Sequence, residues 1–255
     1  MGTIDELVPI LKKLRMSGVL ETFQLRQKQA VDDELSYDEF LYRIMSDEVE
    51  RREAKQLQVR FRRANFEHNK TLEDFDFAFN PEIPKNKVID LATCNFVELR
   101  RNVLIVGKTG VGKSHIAQAI GHRACIAGYT ALYNTASEML AKLRSSRADD
   151  TYERKLARLI APDLLVIDDL GLMPLAGEAP LDLYEVIRQR YEKGAMLITS
   201  NRSVEEWYPM FPDKLLASAA MDRLLDQATV IVMDGDSYRN PPQSKKKSKD
   251  KKEKN

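Results

Sequence analysis

The chain has 255 residues and a mass of 29.2 kDa, enough for one large or two small domains that bury a core without disulfide or metal cross-links. With 43% apolar and 31% charged residues the composition is that of a globular protein, and no apolar run reaches the ~18 residues that cross a bilayer. The first residues lack the basic and apolar segments of a signal peptide, and Cys94 and Cys125 are far apart in sequence. The sequence therefore predicts no membrane association, no disulfide framework, no structural zinc site and a location in the reducing cytoplasm.

The net charge of +1 conceals an uneven distribution of charge along the chain. Residues 245–255 carry a net charge of +5, and the other 244 residues carry −4. Within that acidic remainder, residues 51–63 form the strongest basic cluster, with a net charge of +5. Two local basic segments on a nearly neutral chain indicate a polyanionic partner that binds at defined places.

Residues 1–70 predict a small all-α domain. Caps and apolar residues at helical spacing predict four helices, which begin near Thr3, Val19, Ser36 and Asp47. The last of these runs to about Phe66 and carries the basic cluster. No run rich in β-branched residues interrupts this region, which we interpret as a DNA-binding or partner-binding domain.

Residues 71–87 predict a linker. Three phenylalanines alternate with polar or small residues before two prolines, at Phe75, Phe77, Phe79, Pro81 and Pro84. The prolines break any regular element. We expect the aromatic side chains to pack on the domain that follows.

Residues 88–240 predict an α/β domain. Short apolar runs alternate with helical stretches, at 103–106, 131–133, 164–167, 196–199 and 230–233. This alternation predicts a mainly parallel five-stranded sheet sandwiched by helices. Residues 241–255 contain no apolar side chain other than proline, so we expect a disordered Lys-rich tail.

The first of these apolar runs leads into a phosphate-binding pattern. The fixed positions of G-x-x-x-x-G-K-[ST] are all matched by Gly107, Lys108, Thr109, Gly110, Val111, Gly112, Lys113 and Ser114. Glycines let backbone N–H groups turn toward phosphate oxygens, and the following helix adds its positive end. Lys113 would reach the β- and γ-phosphates of ATP, and the Ser114 hydroxyl would hold Mg²⁺. The alternative is a glycine-rich turn that binds nothing.

Polar residues end two further strands beside this loop. Asp168 and Asp169 follow the run at 164–167, and Asn201 follows the run at 196–199. The carboxyl ends of parallel strands meet at one edge of the sheet. Asp168 would support Mg²⁺ through its water shell, Asp169 would orient the attacking water, and Asn201 would bond that water or the γ-phosphate. The alternatives are a solvated acidic turn and a helix-capping asparagine.

The order of these motifs resembles that of an AAA+ ATPase. The finer match is to the IstB family, the ATPase helpers of bacterial transposition, which are related to the bacterial helicase loaders. The resemblance covers about residues 5–240 and is carried by Gly-Lys-Ser-His, Ile-Asp-Asp-Leu-Gly, Thr-Ser-Asn-Arg, Glu-Glu-Trp, Asp-Arg-Leu-Leu and Gly-Asp-Ser-Tyr-Arg.

The resemblance implies roles for the residues of this chain. It makes 107–114 the Walker A motif, Asp168 and Asp169 the Walker B motif, and Asn201 sensor 1. Arg223 matches the arginine finger that reaches a neighbouring subunit's γ-phosphate, although an ordinary surface ion pair is the alternative. Arg190 is a second inter-subunit candidate, and Arg239 would substitute for the second sensor. AAA+ proteins usually carry Glu where this chain carries Asp169; the shorter side chain would hold water less well and implies slow hydrolysis.

The basic cluster forms one face of the last predicted N-terminal helix. At 100° per residue its cations lie nearly opposite its apolar residues. We expect contacts with the DNA backbone, and little base reading, from Arg51, Arg52, Lys55, Arg62 and Arg63. A solvated basic face and a protein-binding face are the alternatives.

Together these features predict an ATPase that uses ATP and Mg²⁺. The resemblance implies self-assembly on duplex DNA, with ATP at subunit interfaces, and help to a transposase in selecting target DNA. Hydrolysis would then disassemble the complex. A helicase loader shares the same core and is the main alternative; a small-molecule P-loop kinase, and a DNA-binding scaffold that has lost hydrolysis, are further ones.

Overall fold

The computed structural model describes residues 4–67 and 70–240. The chain divides into two compact units, Met1–Val59 and Arg60–Asn255. In the described part of the chain, no helix has the length and apolar character needed to span a membrane. The predicted cap at Thr3 and the predicted disorder of residues 241–255 lie outside the described residues.

The first unit is helical, as predicted, but with fewer helices. It comprises α1 (Ile4–Lys13), α2 (Ser17–Asp32) and most of α3 (Tyr37–Ala64). The prediction that a new helix begins at Asp47 was wrong, since α3 is continuous through this position. Asp47 accepts hydrogen bonds from Arg26 on α2, at 2.6 and 2.8 Å, and so serves the contact between helices.

A buried carboxylate joins α2 to α3 within this unit. Glu48 Oε2 accepts hydrogen bonds from the backbone N–H groups of Gly18, at 2.6 Å, and Val19, at 3.3 Å. These groups lie in the first turn of α2, whose N-cap residue supplies no side-chain cap. A Cβ atom at Gly18 would lie 2.8 Å from the backbone oxygen of Asp47. Glycine thus permits the close approach that lets Glu48 cap the neighbouring helix.

The second unit is built on a five-stranded parallel sheet, which confirms the predicted fold class. Its strands are β1 (Val103–Gly107), β2 (Ala131–Thr135), β3 (Leu164–Leu170), β4 (Ala195–Ser200) and β5 (Thr229–Met233). Their order is β2-β3-β4-β1-β5. β1 to β4 are buried along almost their whole length, as expected for a parallel sheet covered on both faces.

Helices connect and flank these strands. They are α4 (Lys85–Leu91), α5 (Asn95–Glu98), α6 (Lys113–Ile126), α7 (Ala136–Ser146), α8 (Tyr152–Ile160), α9 (Ala179–Arg190) and α10 (Lys214–Leu225), with a 3₁₀ helix at Val204–Met210. Helices α7 to α10 and the sheet share one apolar core. This core fixes the strand ends, from which the polar residues of the site project.

Two buried polar side chains close the amino-terminal edge of the sheet. Asn102 Nδ2 donates to the carbonyls of Arg223 and Leu224, and its Oδ1 accepts from Met196 N. Arg190 has no exposed surface, and its guanidinium donates to four backbone carbonyls, those of Leu159, Ile160, Asp163 and Ala195. The suggestion that Arg190 contacts another subunit was therefore wrong, because this side chain is fully buried and donates its hydrogen bonds to carbonyls of its own chain.

The predicted packing of the linker aromatics is confirmed. The Phe75 ring lies 5.3 Å from the ring of His115 on α6, and the Phe79 ring lies 4.9 Å from that of Tyr238. Asn80 is buried and exchanges two hydrogen bonds with the backbone of Asp236, at 2.8 and 3.1 Å. The linker and the segment after β5 thus pack together over the carboxyl-terminal edge of the sheet.

Candidate functional site

A cleft of about 770 Å³ opens at the carboxyl-terminal edge of the sheet. It brings together nine of the residues predicted for nucleotide chemistry: Thr109, Gly110, Val111, Gly112, Lys113, Ser114, Asp168, Asp169 and Asn201. Gly107 and Lys108 begin the same loop but are not among its lining residues. The linker and the segment after β5 complete its walls.

The phosphate-binding loop depends on glycine at two points of close approach. A Cβ atom at Gly107 would lie 1.8 Å from the carbonyl oxygen of Met233 on β5. At Gly112, φ is +104° and a Cβ atom would lie 2.5 Å from the Phe75 ring. Because α6 begins at the next residue, the loop presents a helix N-terminus to the cleft. This is an arrangement that binds phosphate groups.

Lys113 lies buried at the base of the loop, with 4% of its surface exposed. Its Nζ donates to the carbonyl of Lys108 at 2.8 Å and to Asn201 Oδ1 at 2.5 Å. Burial lowers the pKa of this lysine, and the negative charges of Asp169 and Asp168 oppose that shift. The end of β4 thus holds the cation in place by way of Asn201.

Asp168 is 3% exposed, and hydroxyl groups on the neighbouring strands bond both of its oxygens. Tyr133 on β2 donates to Oδ2 at 2.7 Å, and Thr199 on β4 donates to Oδ1. The Ser114 hydroxyl lines the same cleft. Carboxylate and hydroxyl oxygens are the hard donors that Mg²⁺ prefers, so this donor set fits the ion.

Tyr133 and Thr199 are functional candidates that sequence reasoning missed. Each is a polar residue within an apolar strand, which is the only local signal that it gives. Their meeting at Asp168 follows from the position of β3 between β2 and β4. That order could not be obtained from spacing along the chain.

Asp169 adopts a left-handed backbone conformation, with φ of +56°. Its N–H donates to Thr199 Oγ1 at 3.0 Å, where the register between β3 and β4 shifts. Burial raises the pKa of the Asp169 carboxyl and the charge of Asp168 adds to this, while Lys113 and Arg239 oppose it. The bend turns a second carboxylate, chemically distinct from the first, into the cleft.

Arg239 lines the cleft from a strap formed by residues 234–239. Tyr238 N donates to the carbonyl of Gly110 at 2.9 Å, which fixes the strap to the phosphate-binding loop. Lys108 at the start of the loop pairs with Asp234 at 2.8 Å. The strap thereby places a cation, Arg239, at the cleft.

Arg223 lies away from this cleft. It lines a smaller cavity, of about 220 Å³, at the amino-terminal edge of the sheet, together with Arg100 and Arg101. Its Nη1 donates to the carbonyl of Ala219 at 2.7 Å, and its guanidinium lies 5.8 Å from the centre of the Tyr184 ring. The side chain is partly exposed, so it can meet a group outside its own chain.

The five predicted DNA contacts differ in their surroundings. In the first unit, Arg51 pairs with Glu21 at 2.9 Å, Arg52 pairs with Glu48 at 2.6 Å, and Lys55 is exposed. In the second unit, Arg62 and Arg63 are exposed. Across residues 4–67 and 70–240, no ion pair engages Lys55, Arg62 or Arg63.

His115 lies against the linker. Its Nε2 lies 2.7 Å from the carbonyl oxygen of Thr71, and its ring meets that of Phe75 edge to face. These contacts agree with a packing role beside Ser114.

Comparisons with known proteins find a matching family and similar chains. The family model for IstB-like ATP binding proteins matches residues 9–248. A relative from Mycobacterium tuberculosis, named as an ATP-binding protein in an insertion sequence, is 37% identical over 230 residues, which are 90% of this chain and 92% of the relative. The corresponding protein of insertion sequence IS21 from Pseudomonas aeruginosa is 35% identical, over 92% of this chain and 89% of the relative.

Solved structures share the fold at low sequence identity. AMPPCP-bound DnaA from Aquifex aeolicus has a TM-score of 0.57 and 21% identity, over 72% of this chain and 55% of that one. DnaI has a TM-score of 0.56 and 22% identity, over 66% of this chain and 90% of DnaI. The DnaC helicase loader has a TM-score of 0.52 and 19% identity, over 65% of this chain and 97% of the loader.

Proposed function

Since this chain belongs to the family of IstB-like ATP-binding proteins, we propose that it is an AAA+ ATPase of DNA transposition. In this proposal it hydrolyses ATP with Mg²⁺, assembles with copies of itself on duplex DNA, and helps a transposase to capture target DNA. One observation carries the proposal. A cleft that gathers the phosphate-binding loop, two acidic residues and Asn201 coexists with a partly exposed Arg223 at the opposite edge of the sheet.

The residues of the cleft suit phosphoryl transfer to water. The backbone of the loop and Lys113 would bind the phosphates, and Asn201, released from Lys113, would bond the γ-phosphate or the attacking water. The Ser114 hydroxyl and Asp168 would hold Mg²⁺, which supplies neutralisation of phosphate charge when it is bound. Asp169 would orient the water. These groups act by positioning and by stabilising charge.

Completion of the site would require a second copy of the chain. Arg223 does not line the cleft of its own chain but has surface that a neighbour could meet. A neighbour's γ-phosphate placed against Arg223 would gain a cation in the transition state, while Arg239 would supply a cation from within the chain. ATP would thereby join subunits, and its hydrolysis would release them.

The proposal includes slow hydrolysis. The Asp169 side chain is one methylene shorter than the glutamate usual at this position. Its raised pKa reflects a carboxyl that is both buried and close to Asp168. Slow turnover suits an assembly switch better than a motor. Steady-state turnover as fast as that of a processive AAA+ motor would contradict this part of the proposal.

Duplex DNA is the proposed polyanion. Arg62 and Arg63 are exposed cations of the second unit, and Lys55 is one of the first. Contacts of this kind bind the phosphate backbone and weaken strongly with salt. The transposase partner is proposed because the relatives' names place them in insertion sequences.

A helicase-loader function is the second candidate. It is favoured by the shared fold with DnaI and the DnaC helicase loader, a likeness that concerns the fold alone. A loader would prefer single-stranded DNA and would associate with a replicative helicase. The two candidates share their ATPase core, so the DNA preference and the partner distinguish them.

Size-exclusion chromatography with light scattering tests the proposal. The wild-type chain and an Arg223→Ala variant would be run with duplex or single-stranded DNA, each with ATP, ADP or no nucleotide. We expect large assemblies only with ATP and duplex DNA, and their loss in the variant. Arg188→Ala is the matched control, because Arg188 is an exposed arginine that pairs only with Glu185 in the part of the chain described.

Other outcomes of this experiment would overturn the proposal. A complex that prefers single strands would favour the helicase loader. A monomer that is indifferent to nucleotide would contradict the shared ATP site. An Arg62→Ala/Arg63→Ala variant is expected to bind duplex DNA more weakly and to lower the slope of log affinity against log salt concentration by roughly two.

A further inference from the structure

Tyr133 shares a hydrogen bond with the carboxylate that would hold Mg²⁺. We propose that Tyr133 is a positioning residue, which orients Asp168 for Mg²⁺ through its phenolic hydroxyl and so sets the Mg²⁺ concentration at which nucleotide binds tightly. This inference rests on the proposed function, because it assumes that Asp168 serves an ATP·Mg²⁺ site.

The hydrogen bonds of Asp168 fix the rotation of its carboxylate. Tyr133 holds Oδ2 from β2 at 2.7 Å, and Thr199 holds Oδ1 from β4 on the other side. A carboxylate has about four acceptor positions, so each oxygen keeps capacity for a metal-bound water. The two hydroxyls therefore orient the carboxylate without exhausting it.

The Tyr133 hydroxyl makes its hydrogen bond from a buried position. The residue is 1% exposed, and its hydroxyl donates to Asp168 Oδ2 at 2.7 Å. A hydroxyl that donates to a carboxylate makes one of the stronger hydrogen bonds in proteins. Hydrogen-bond partners of this kind orient metal ligands, and their loss typically weakens metal affinity about 10- to 100-fold.

The aromatic ring of Phe66, which also packs on His122, lies beside Tyr133 and supports it. The Phe66 ring lies 6.4 Å from that of Tyr133 and 4.4 Å from that of His122 on α6. A Cβ atom at Gly121 would lie 2.6 Å from the Phe66 ring, so this glycine admits the ring against α6. The side chain of Asn65 donates to the carbonyl of Tyr133 at 3.4 Å. The end of α3 and the residues after it thus hold β2 where the hydroxyl reaches Asp168.

The chain offers a matched pair that lacks the proposed role. Tyr152 donates to Asp182 at 2.9 Å, and Asp182 has no exposed surface. Neither residue lines the nucleotide cleft. A purely structural role for the Tyr133 hydroxyl predicts that Tyr133→Phe behaves as Tyr152→Phe does, with some loss of stability and no change in Mg²⁺ dependence.

The test is calorimetric binding of a nonhydrolysable ATP analogue to the full chain, first in EDTA and then over a series of Mg²⁺ concentrations. In EDTA, we expect wild type, Tyr133→Phe and Tyr152→Phe to bind with affinities that agree within about twofold, which also shows that each is folded. The Mg²⁺ concentration at half-maximal tightening should rise about tenfold in Tyr133→Phe. It should not change in Tyr152→Phe.

A second variant covers the case in which Tyr133→Phe does not fold. Phe66→Leu keeps the hydroxyl but removes the ring that supports it, and we expect a smaller rise of the same midpoint. If the Mg²⁺ midpoint of Tyr133→Phe is unchanged, the positioning role is overturned. If only Phe66→Leu folds, an unchanged Mg²⁺ midpoint in that variant overturns it instead. If Mg²⁺ fails to tighten binding in the wild type as well, the proposed function fails first and the role of Tyr133 fails with it.

Discussion

The two edges of the sheet use polar side chains in opposite ways. At the amino-terminal edge, Asn102 and Arg190 are buried and spend their hydrogen bonds on backbone groups. At the carboxyl-terminal edge, Lys113, Asp168 and Asp169 line a cleft, where Lys113 donates to the Asn201 side chain and Asp168 accepts from the Tyr133 hydroxyl. Hydrogen bonds between side chains and the backbone stabilise the amino-terminal edge. At the carboxyl-terminal edge, charged side chains line a cleft that a ligand could enter.

Two arginines at the amino-terminal edge of the sheet differ in their exposure to solvent. Arg190 is fully buried and bonds carbonyl groups, whereas Arg223 is partly exposed. Both lie close to the same small cavity. Only the exposed arginine can serve another molecule, so substitutions at the two positions should have different consequences.

Replacement of Arg223 should give the largest effect. We expect Arg223→Ala to lower DNA-stimulated ATP turnover about a thousandfold, because the transition state loses a cation supplied in trans. Equilibrium binding of ATP to the isolated chain should stay within about twofold of wild type. Phosphate-release assays and nucleotide titrations measure the two quantities, with Arg188→Ala as the control. Equal losses in binding and turnover would place Arg223 in its own cleft.

Asp169→Asn should lower turnover about a hundredfold, since an amide orients water but cannot accept its proton. The same variant should be more stable than wild type at pH 7 without nucleotide or metal. The Asp169 pKa is raised on folding, so its ionisation begins to oppose folding as the pH rises above the ordinary pKa of aspartate, and the full cost is reached above the folded pKa. The gain should vanish below the ordinary pKa of aspartate. Thermal unfolding in EDTA across a pH series measures this difference, and a less stable variant at pH 7 would contradict the assignment.

Arg190→Met should act on stability. Loss of the guanidinium removes four hydrogen bonds to backbone carbonyls, and those to Leu159 and Ala195 are buried, which costs roughly 3 kcal/mol or more of unfolding free energy. Urea denaturation measures this change. Arg154→Met, at an exposed arginine of α8, is the control and should change stability by less than about 0.5 kcal/mol. A stable Arg190→Met protein that fails to assemble would restore the inter-subunit role.

Asn102→Ala should give the smallest of these effects, about 2 kcal/mol of unfolding free energy, because one side chain joins α10, β4 and the start of β1. Asn95→Ala, at an exposed position, should be nearly neutral. The midpoint of urea unfolding compares the two. A large loss of ATP affinity without loss of stability would show that the amino-terminal edge contributes to the nucleotide site, contrary to its structural role.

The sequence predicted the features that are local. The strands, the phosphate-binding loop and the two acidic residues near the end of β3 are each encoded within a few residues. The break predicted at Asp47 was wrong, because a capping pattern can instead serve a contact with another helix, as Asp47 does with Arg26. The burial of Arg190 and the hydroxyls around Asp168 depend on strand order and packing, which spacing along the chain does not reveal.

Complementation between two inactive variants tests the shared ATP site most directly. Lys113→Ala removes a residue of the cleft, and Arg223→Ala removes the cation proposed to act in a neighbour. Each variant alone should be inactive, and a 1:1 mixture on duplex DNA should regain about a quarter of wild-type turnover, because that share of interfaces pairs an intact cleft with an intact arginine. Mixed assemblies that form but stay inactive would contradict the account and return Arg223 to its own chain.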